Sequence, residues 1–237
     1  VAWIPFLRTQ AQKSLAYYSD SIVLNGDDTN TATGNINLDD ADPADTKHYL
    51  AFDGIRHAAI VDVTANAIDV AGTVTLNTMR DMKGKMLDNT NKVAWGYPND
   101  ASDLVYITDM ETGDRIALLD EVVVAKQMMG NNANLLNGQV ASIIGHPVIS
   151  SMAMSKTEAD GKVSTTAANN TKGQIAAFNR NGFKVGWRRR VKVETERLPA
   201  TDQTRLVYSL RMGFGRFTPS GAASGIESVS VAYDISL

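Results

Sequence analysis

The chain has 237 residues, of which 43% are hydrophobic and 21% are charged, and its formal net charge is −3. This composition is typical of a folded protein with a sizeable core, in one domain or in two tightly joined lobes. A sequence pI near 5.6 argues against a dedicated nucleic-acid-binding protein, which normally carries a basic face. The chain contains no cysteine, which excludes disulfide bonds and thiolate metal sites within it.

The first apolar pattern predicts an amphipathic helix of about four turns near the start of the chain. Glycine commonly follows the last residue of a helix, so Asn25 and Gly26 mark its predicted end. Residues 25 to 46 are rich in Asp, Asn, Thr and Gly and predict a long polar loop. The apolar positions that define the helix recur every three or four residues: Leu7, Ala11, Leu15, Tyr18 and Ile22.

Two further helices are predicted in the middle of the chain. Leu76, Met79, Met82 and Met86 lie at helical spacing, with lysines 83 and 85 on the solvent side. The methionines are interpreted as core residues, because a thioether adapts to irregular gaps. A second helix is predicted over residues 100–110, with a cap at 99 or 100 and an end at Gly113. Residues 93–95 and 147–149 predict short strands.

The last third of the chain alternates between apolar and polar residues, which predicts strands. Two runs flank an open loop at residues 198–202 and predict a long β-hairpin, and residues 229–235 predict a final strand. We expect Trp187 and Leu210 to be core residues, for which truncation to alanine costs roughly 2 to 5 kcal/mol. The alternating apolar positions are Phe183, Val185, Trp187, Val191 and Val193 in the first run, and Leu206, Tyr208, Leu210, Met212 and Phe214 in the second.

A search for catalytic and metal-binding patterns finds no strong candidate. His48, His57 and His146 lack paired zinc spacing and are interpreted as surface or interface histidines. The acidic residues of the polar loop could bind a hard cation, but their spacing does not match a calcium loop. We therefore favour a solvated loop and predict no catalytic, cofactor-binding or metal-binding residue, no cofactor and no enzymatic activity. Those acidic residues are Asp27, Asp28, Asp39, Asp40, Asp42 and Asp45.

Three consecutive arginines, Arg188, Arg189 and Arg190, form the most distinctive local feature. On an alternating strand, Arg188 and Arg190 point to one side together with Glu194 and Glu196, and Arg189 points to the other. These five residues could contact a neighbouring subunit or the phosphates of DNA. They could also form cross-strand ion pairs on an exposed face, each worth roughly 1 kcal/mol or less. We favour this last interpretation over contact with DNA.

An ordered series of short motifs resembles the Hong Kong 97 type major capsid proteins of tailed phages. It begins with Leu24-Asn25-Gly26-Asp27 after the long helix and with Gly34-Asn35-Ile36, which are similar to the end of the family's spine helix. The segments at 93–95 and 109–113 resemble the entry to its axial domain, and 138–149 resembles its small loop with Gly-x-Pro-Val. The segments at 178–183, 186–194 and 210–214 resemble its returning peripheral strands. Together they cover most of residues 5 to 217.

The resemblance implies an α+β subunit with an axial domain, a peripheral domain, a long spine helix and a long β-hairpin. On this basis we expect residues 1–88 to hold the spine helix and part of the peripheral domain. Residues 89–180 would be the axial domain, and 181–237 the returning peripheral strands. The family's N-terminal arm and extended hairpin precede the spine helix, whereas the helix predicted here begins almost at Val1.

The function that the resemblance implies is structural. Such subunits form the hexamers and pentamers of an icosahedral shell around double-stranded DNA. The implied location is the capsid of the virion, which is assembled in the host cytoplasm. The implied partners are copies of the chain itself, weakly and non-specifically bound DNA, and scaffold, portal and decoration proteins, with no membrane. Apolar stretches at 116–119 and 122–125 are far shorter than the roughly 20 residues that span a bilayer.

Three other functions remain open from the sequence. A shell protein of the encapsulin type, which encloses a cargo enzyme in a cellular compartment, would share the fold. A metal-dependent hydrolase would use the acidic loop at residues 27–45 as its metal site. A solitary carbohydrate-binding β domain would be supported only by Trp187, Tyr208 and the alternating strands.

Overall fold

The computed structural model describes residues 3–31, 34–38, 41–86, 103–120, 122, 139–143, 145–201, 203–217 and 228–237. The helices in these ranges are α1 (Trp3–Asn25), α2 (Ile55–His57, continued by a π-helical turn over Ala58–Asp62), α3 (Leu76–Lys85) and α4 (Met110–Ala117). The strands are β1 (Ala67–Gly72), β2 (Leu104–Thr108), β3 (Gln139–Ile143), β4 (His146–Ser150), β5 (Lys172–Asn179), β6 (Phe183–Leu198), β7 (Gln203–Arg216) and β8 (Val229–Ser236). The strand predicted at 93–95 lies outside the described residues.

A six-stranded mixed sheet forms the centre of the molecule, with the strand order β1-β8-β5-β2-β4-β3. Its β1–β8 and β2–β4 pairs are parallel, and its other pairs are antiparallel. The sheet takes β1 from before residue 88 and β8 from after residue 180. It therefore joins strands from all three segments named in the sequence analysis.

Helix α3 supplies much of the main core, as its spacing predicts. Met79, Met82 and Met86 are fully buried in one cluster with residues of the sheet. Thr75 begins the helix with a capping box shared with Thr78. Lys83 departs from its expected place in solvent, because its Nζ lies 3.1 Å from Nε2 of the buried His146.

The helix predicted over residues 100–110 is wrong. Residues 104–108 form β2, which pairs with β4 and β5 at the centre of the sheet and is buried on both faces. A helix, α4, begins only after this strand, because Asp109 Oδ1 accepts the backbone N–H of Thr112 at 2.9 Å. Gly113 lies inside α4, where a Cβ atom would come within 2.0 Å of the Ser150 hydroxyl.

The long N-terminal helix and the long hairpin are confirmed. Helix α1 ends at Asn25, directly before Gly26 as predicted. Among the described strands, β6 and β7 pair only with each other and form a second sheet beside the central one. None of the described helices combines the length and the apolar character needed to cross a membrane. The molecule is therefore an α+β fold, with a helix and a hairpin that extend from a compact central sheet.

Candidate assembly surface

Helix α1 and the hairpin face each other across an apolar groove of about 920 Å³. Leu15, Tyr18 and Ile22 line the helix side, so the stripe predicted from their spacing does form a common face. Trp187 and Met212 line the hairpin side. A smaller pocket between the first half of α1 and residues Val193, Thr195 and Tyr208 shows that the same hairpin face follows the helix toward its N-terminus.

Neither apolar face is fully covered within the subunit. Leu7 and Trp187 are each 50% exposed, Tyr18 is 46% exposed and Val193 is 44% exposed. Leu210 is only partly buried. The expectation that Trp187 and Leu210 are core residues is therefore wrong. Alternation correctly predicted an apolar face of the hairpin, but α1 lies beside that face without sealing it.

The base of the hairpin is fixed to the body by aromatic side chains. The rings of Phe183 and Phe214 stack with centroids 5.4 Å apart, and Phe52 stacks on Phe214 at 5.6 Å. An ion pair between Arg216 and Asp62 ties the end of β7 to the turn after α2. One end of the hairpin is thus anchored, while its other end reaches residues 199–201 and 203, which are exposed.

Two irregularities in β6 change the direction in which the predicted arginines point. Trp187 pairs with Met212, Arg189 with Arg211, and Lys192 with Ser209, so β6 carries two extra residues over this stretch. Paired residues of neighbouring strands lie on the same face of a sheet. The first irregularity falls at Arg188 and the second within Arg190 and Val191; all three residues are exposed.

Arg189 consequently shares a face with Glu194 and Glu196, the face that turns away from α1. The simple alternation, which groups Arg188 and Arg190 with these glutamates, is wrong because it did not foresee the bulges. Arg189 Nη2 donates to the Ser209 hydroxyl at 2.8 Å. Register places five cations and two carboxylates on this face: Lys184, Arg189, Lys192, Arg205 and Arg211, with Glu194 and Glu196.

Ion pairs occupy part of this charged face. Glu196 Oε2 lies 3.6 Å from Arg205 Nη1 on the opposite strand, a cross-strand pair of the kind expected from the sequence. Glu194 accepts a hydrogen bond from Lys192, and this bond with the lysine charge lowers the pKa of Glu194. The face retains an excess of positive charge, which suits an acidic neighbouring surface or phosphates.

A buried polar joint that the sequence did not reveal holds the end of α1 to the body. Asp27 was expected in a solvated loop, which is wrong because its side chain is fully buried. Its Oδ1 and Oδ2 accept the backbone N–H groups of Thr29 at 2.9 Å and Ile36 at 2.7 Å. Asn25 donates from Nδ2 to the Ala153 carbonyl at 2.6 Å. The motif Asn25-Gly26-Asp27 therefore ends the helix and fixes the conformation of the loop that follows it.

Arg56 completes the joint from α2. Its guanidinium is fully buried and donates from Nη1 to Asn25 Oδ1 at 2.9 Å and from Nη2 to the Gly161 carbonyl at 2.7 Å. Burial lowers the pKa of Arg56 to about 10, and the charges of Asp27 and Asp160 oppose this shift. Arg56 thus stays charged at neutral pH and links α1 to the loop before β5.

The histidines are less exposed than the sequence suggested. His57 and His146 are buried, so their interpretation as surface residues is wrong. His48 is partly buried against α1, where its Nε2 lies 3.3 Å from the Ser21 hydroxyl and its ring packs edge-on against Tyr18. Burial, aided by the neighbouring Lys47 charge, lowers the pKa of His48.

These features define an α+β protein with a half-exposed helix and hairpin mounted on a mixed sheet. No protein-family model matches the sequence, and no curated protein matches it. Solved structures do match: a chain of the satellite phage P4 procapsid, which includes the size determination (Sid) protein, aligns with a TM-score of 0.51 and 9% identity. The alignment covers 100% of this chain and 69% of that one.

Two further structures align more loosely. A chain of Mycobacterium phage Che8 has a TM-score of 0.44 and 15% identity, over 72% of this chain and 55% of that one. A chain of the cyanophage Pam1 capsid has a TM-score of 0.45 and 13% identity, over 69% of this chain and 48% of that one. This chain therefore spans about half the length of these two. The predicted resemblance to phage capsid proteins is confirmed at the level of the fold by the procapsid match.

Proposed function

We propose that this chain is a structural subunit of a tailed-phage head, which assembles with copies of itself into hexamers and pentamers around double-stranded DNA. Its place is the virion shell, formed in the host cytoplasm. The fold shared with the procapsid chain supports the proposal. The observation that carries it is the pair of uncovered apolar faces on α1 and the hairpin.

The physical argument rests on surface that the folded subunit leaves in water. Large apolar side chains that lie exposed together mark interaction sites more often than chance surface. Here they lie on two elements that project from the sheet and that face each other across the groove. Specific stable interfaces bury on the order of 1,200 to 2,000 Å² in total. A 23-residue helix beside a long hairpin is large enough to supply such an area.

The charged face of the hairpin is the second surface that such a subunit would use. Arg189 and Arg205 share the face opposite to Trp187 and Met212, where they can meet carboxylates of a neighbouring copy or phosphates of packaged DNA. Of the five residues predicted from the sequence, Arg189, Glu194 and Glu196 lie on this face, and their role there is part of the proposal. Arg188, which lines the groove, and the exposed Arg190 belong to the proposal as interface charges outside this face. The net charge of −3 favours weak rather than tight contact with DNA.

Assembly can be tested with a variant of α1 that leaves the core untouched. We expect the wild-type protein to form shells or hexamers in negative-stain micrographs and in light scattering after size-exclusion chromatography. The Leu7→Gln, Tyr18→Gln double variant should stay folded but unassembled, because both side chains are about half exposed. Gln10→Ala, on the exposed part of the same helix, is the matched control and should assemble normally.

Two outcomes would contradict the proposal. If the wild-type protein remains monomeric at high concentration, the proposed shell function is wrong. If the double variant forms normal shells, the exposed face of α1 is not an assembly surface. Circular dichroism of each variant separates loss of assembly from loss of fold.

A further inference from the structure

A compact cluster of ligating side chains lies beside the polar joint, at the point where the end of α1 meets the start of α2. His57 Nε2 lies 3.7 Å from Asp27 Oδ1 and 3.7 Å from Asp53 Oδ1. The three atoms lie within 4.8 Å of one another. Asp53 and His57 are four residues apart at the start of α2, whereas Asp27 comes from the segment that follows α1. The cluster therefore brings together two separate elements.

The imidazole of His57 lacks the partners that a buried polar group normally has. Its side chain is 7% exposed, and Nδ1 has no hydrogen-bond partner among the described residues. The 3.7 Å separations from Nε2 to the two carboxylates exceed the usual hydrogen-bond length of about 2.7 to 3.2 Å. Buried polar groups are almost always satisfied by protein, water or an ion.

Both carboxylate oxygens are oriented by the backbone and keep capacity for a further ligand. Asp27 Oδ1 accepts the N–H of Thr29 at 2.9 Å, and Asp53 Oδ1 accepts the N–H of Asp28 at 3.1 Å. An ionised carboxylate oxygen has two lone pairs, so one on each oxygen remains for a cation. These backbone bonds act as supporting interactions that fix the direction of the ligands.

The charges around the cluster favour a divalent cation. The third nearby carboxylate, Asp62, is 3.5 Å from His57 Nδ1 and is already paired with Arg216. Asp27 and Asp53 thus face the imidazole with two negative charges. The positive charge of Arg56 lies close enough to Asp27 to interact with its carboxylate. The guanidinium nevertheless donates its hydrogen bonds to Asn25 and Gly161.

We propose that Asp27, Asp53 and His57 bind one divalent transition-metal ion of the zinc type, which fastens the end of α1 to α2. Imidazole and carboxylate are both zinc ligands, with metal–ligand distances of about 2.0 to 2.2 Å. Tetrahedral angles at those distances separate the ligand atoms by roughly 3.3 to 3.6 Å. The two separations from His57 to the carboxylates need to shrink by only tenths of an ångström. Water reaches the remaining position past Asp53, whose side chain is 41% exposed.

The test uses the purified full chain, freed of metal with a chelator and dialysed. Zinc titration by calorimetry should show one saturable site per chain. Asp53→Asn should weaken zinc binding by about tenfold or more, because a ligand is lost. Asp28→Asn is the matched control, an exposed neighbouring carboxylate outside the ligand set, and should bind zinc within about twofold of wild type. Zinc should raise the melting temperature of wild type and of Asp28→Asn, since it binds only the folded state.

Two results would overturn the site. Either zinc shows no saturable binding to the folded wild-type chain, or Asp53→Asn binds as tightly as wild type, which would locate the ion on other surface acids. Asp53 is preferred to Asp27 or His57 as the main variant, because the latter two are buried and their replacement could prevent folding. Binding is measured on unassembled subunits, so the outcome does not depend on whether the chain forms shells.

Discussion

Truncation of Trp187 separates the stability of the subunit from its assembly. The side chain is 50% exposed, and a tryptophan can bury up to about 250 Å², so roughly 125 Å² is covered within the subunit. At about 25 cal/mol per Å², this burial contributes at most about 3 kcal/mol. We expect Trp187→Ala to lower the free energy of unfolding of the isolated subunit by about 1 to 3 kcal/mol.

The exposed half of Trp187 sets the effect on assembly. If a neighbouring copy covers the remaining 125 Å² or so, each contact loses up to about 3 kcal/mol, roughly a hundredfold in association constant. The concentration at which particles appear in light scattering should rise accordingly for Trp187→Ala. Circular dichroism should show that the variant is still folded.

Met82→Ala supplies the comparison. Met82 is fully buried in the main core, and its truncation should lower the free energy of unfolding by about 2 to 5 kcal/mol. Its effect on the assembly threshold should be small at temperatures where the subunit is folded. Denaturant unfolding at low protein concentration measures the first quantity, and light scattering measures the second. The reasoning fails if Trp187→Ala shifts the threshold no more than Met82→Ala does.

Three further predictions concern single groups. Tyr106→Phe removes a buried hydrogen bond to the Met79 carbonyl and should cost about 0.5 to 1.5 kcal/mol in denaturant unfolding. Burial raises the pKa of Tyr106 to about 12, so stability should fall as the pH rises above 10, and less steeply in the variant. Because the pKa of His48 is lowered in the folded state, the unfolded chain takes up a proton at this histidine at a higher pH than the folded chain does. The free energy of unfolding should therefore drop as the pH falls below 6.5. In thermal melts, His48→Gln should reduce this dependence of stability on pH. Arg189→Glu should impair particle formation more than it lowers the free energy of unfolding. If this variant forms normal shells, Arg189 does not lie in an interface between copies.

Local sequence patterns correctly predicted the elements whose apolar residues repeat at a regular spacing. Helix α1, helix α3 and the β6–β7 hairpin each repeat their apolar residues at one clear period over ten or more residues. Because the period of a pattern fixes which side chains share a face, these elements could be located before the fold was known. The two bulges in β6 could not, since they depend on how β6 and β7 adjust to each other.

The missed strand β2 shows where a local pattern fails. Its four apolar residues, 104–107, are too few to distinguish a buried strand from a buried helix. What decides the matter is pairing with β4 and β5, which come much later in the chain. The capping signal of Asp109, three residues before Thr112, was present in the sequence and marks the true start of the following helix.

The polar joint was hidden because its partners are distant in sequence. Arg56 bonds to Asn25, 31 residues away, and to Gly161, 105 residues away. In a local reading, Asp27 is one of six acidic loop residues, and nothing in their spacing distinguishes the buried one. Its role follows only when the end of α1 is packed against α2, which is also what brings Asp53 and His57 within reach of it.

The error about Trp187 is informative because the pattern itself was correct. Alternation reports that a face is destined for an apolar environment, without reporting whether the same chain provides that environment. In this fold the face of the hairpin and the stripe of α1 meet across an open groove, and half of Trp187 and of Leu7 stays in water. Under the proposed function, a second copy of the chain would cover this face. A sequence selected for assembly then carries core-like periodicity on surfaces that the lone subunit cannot bury.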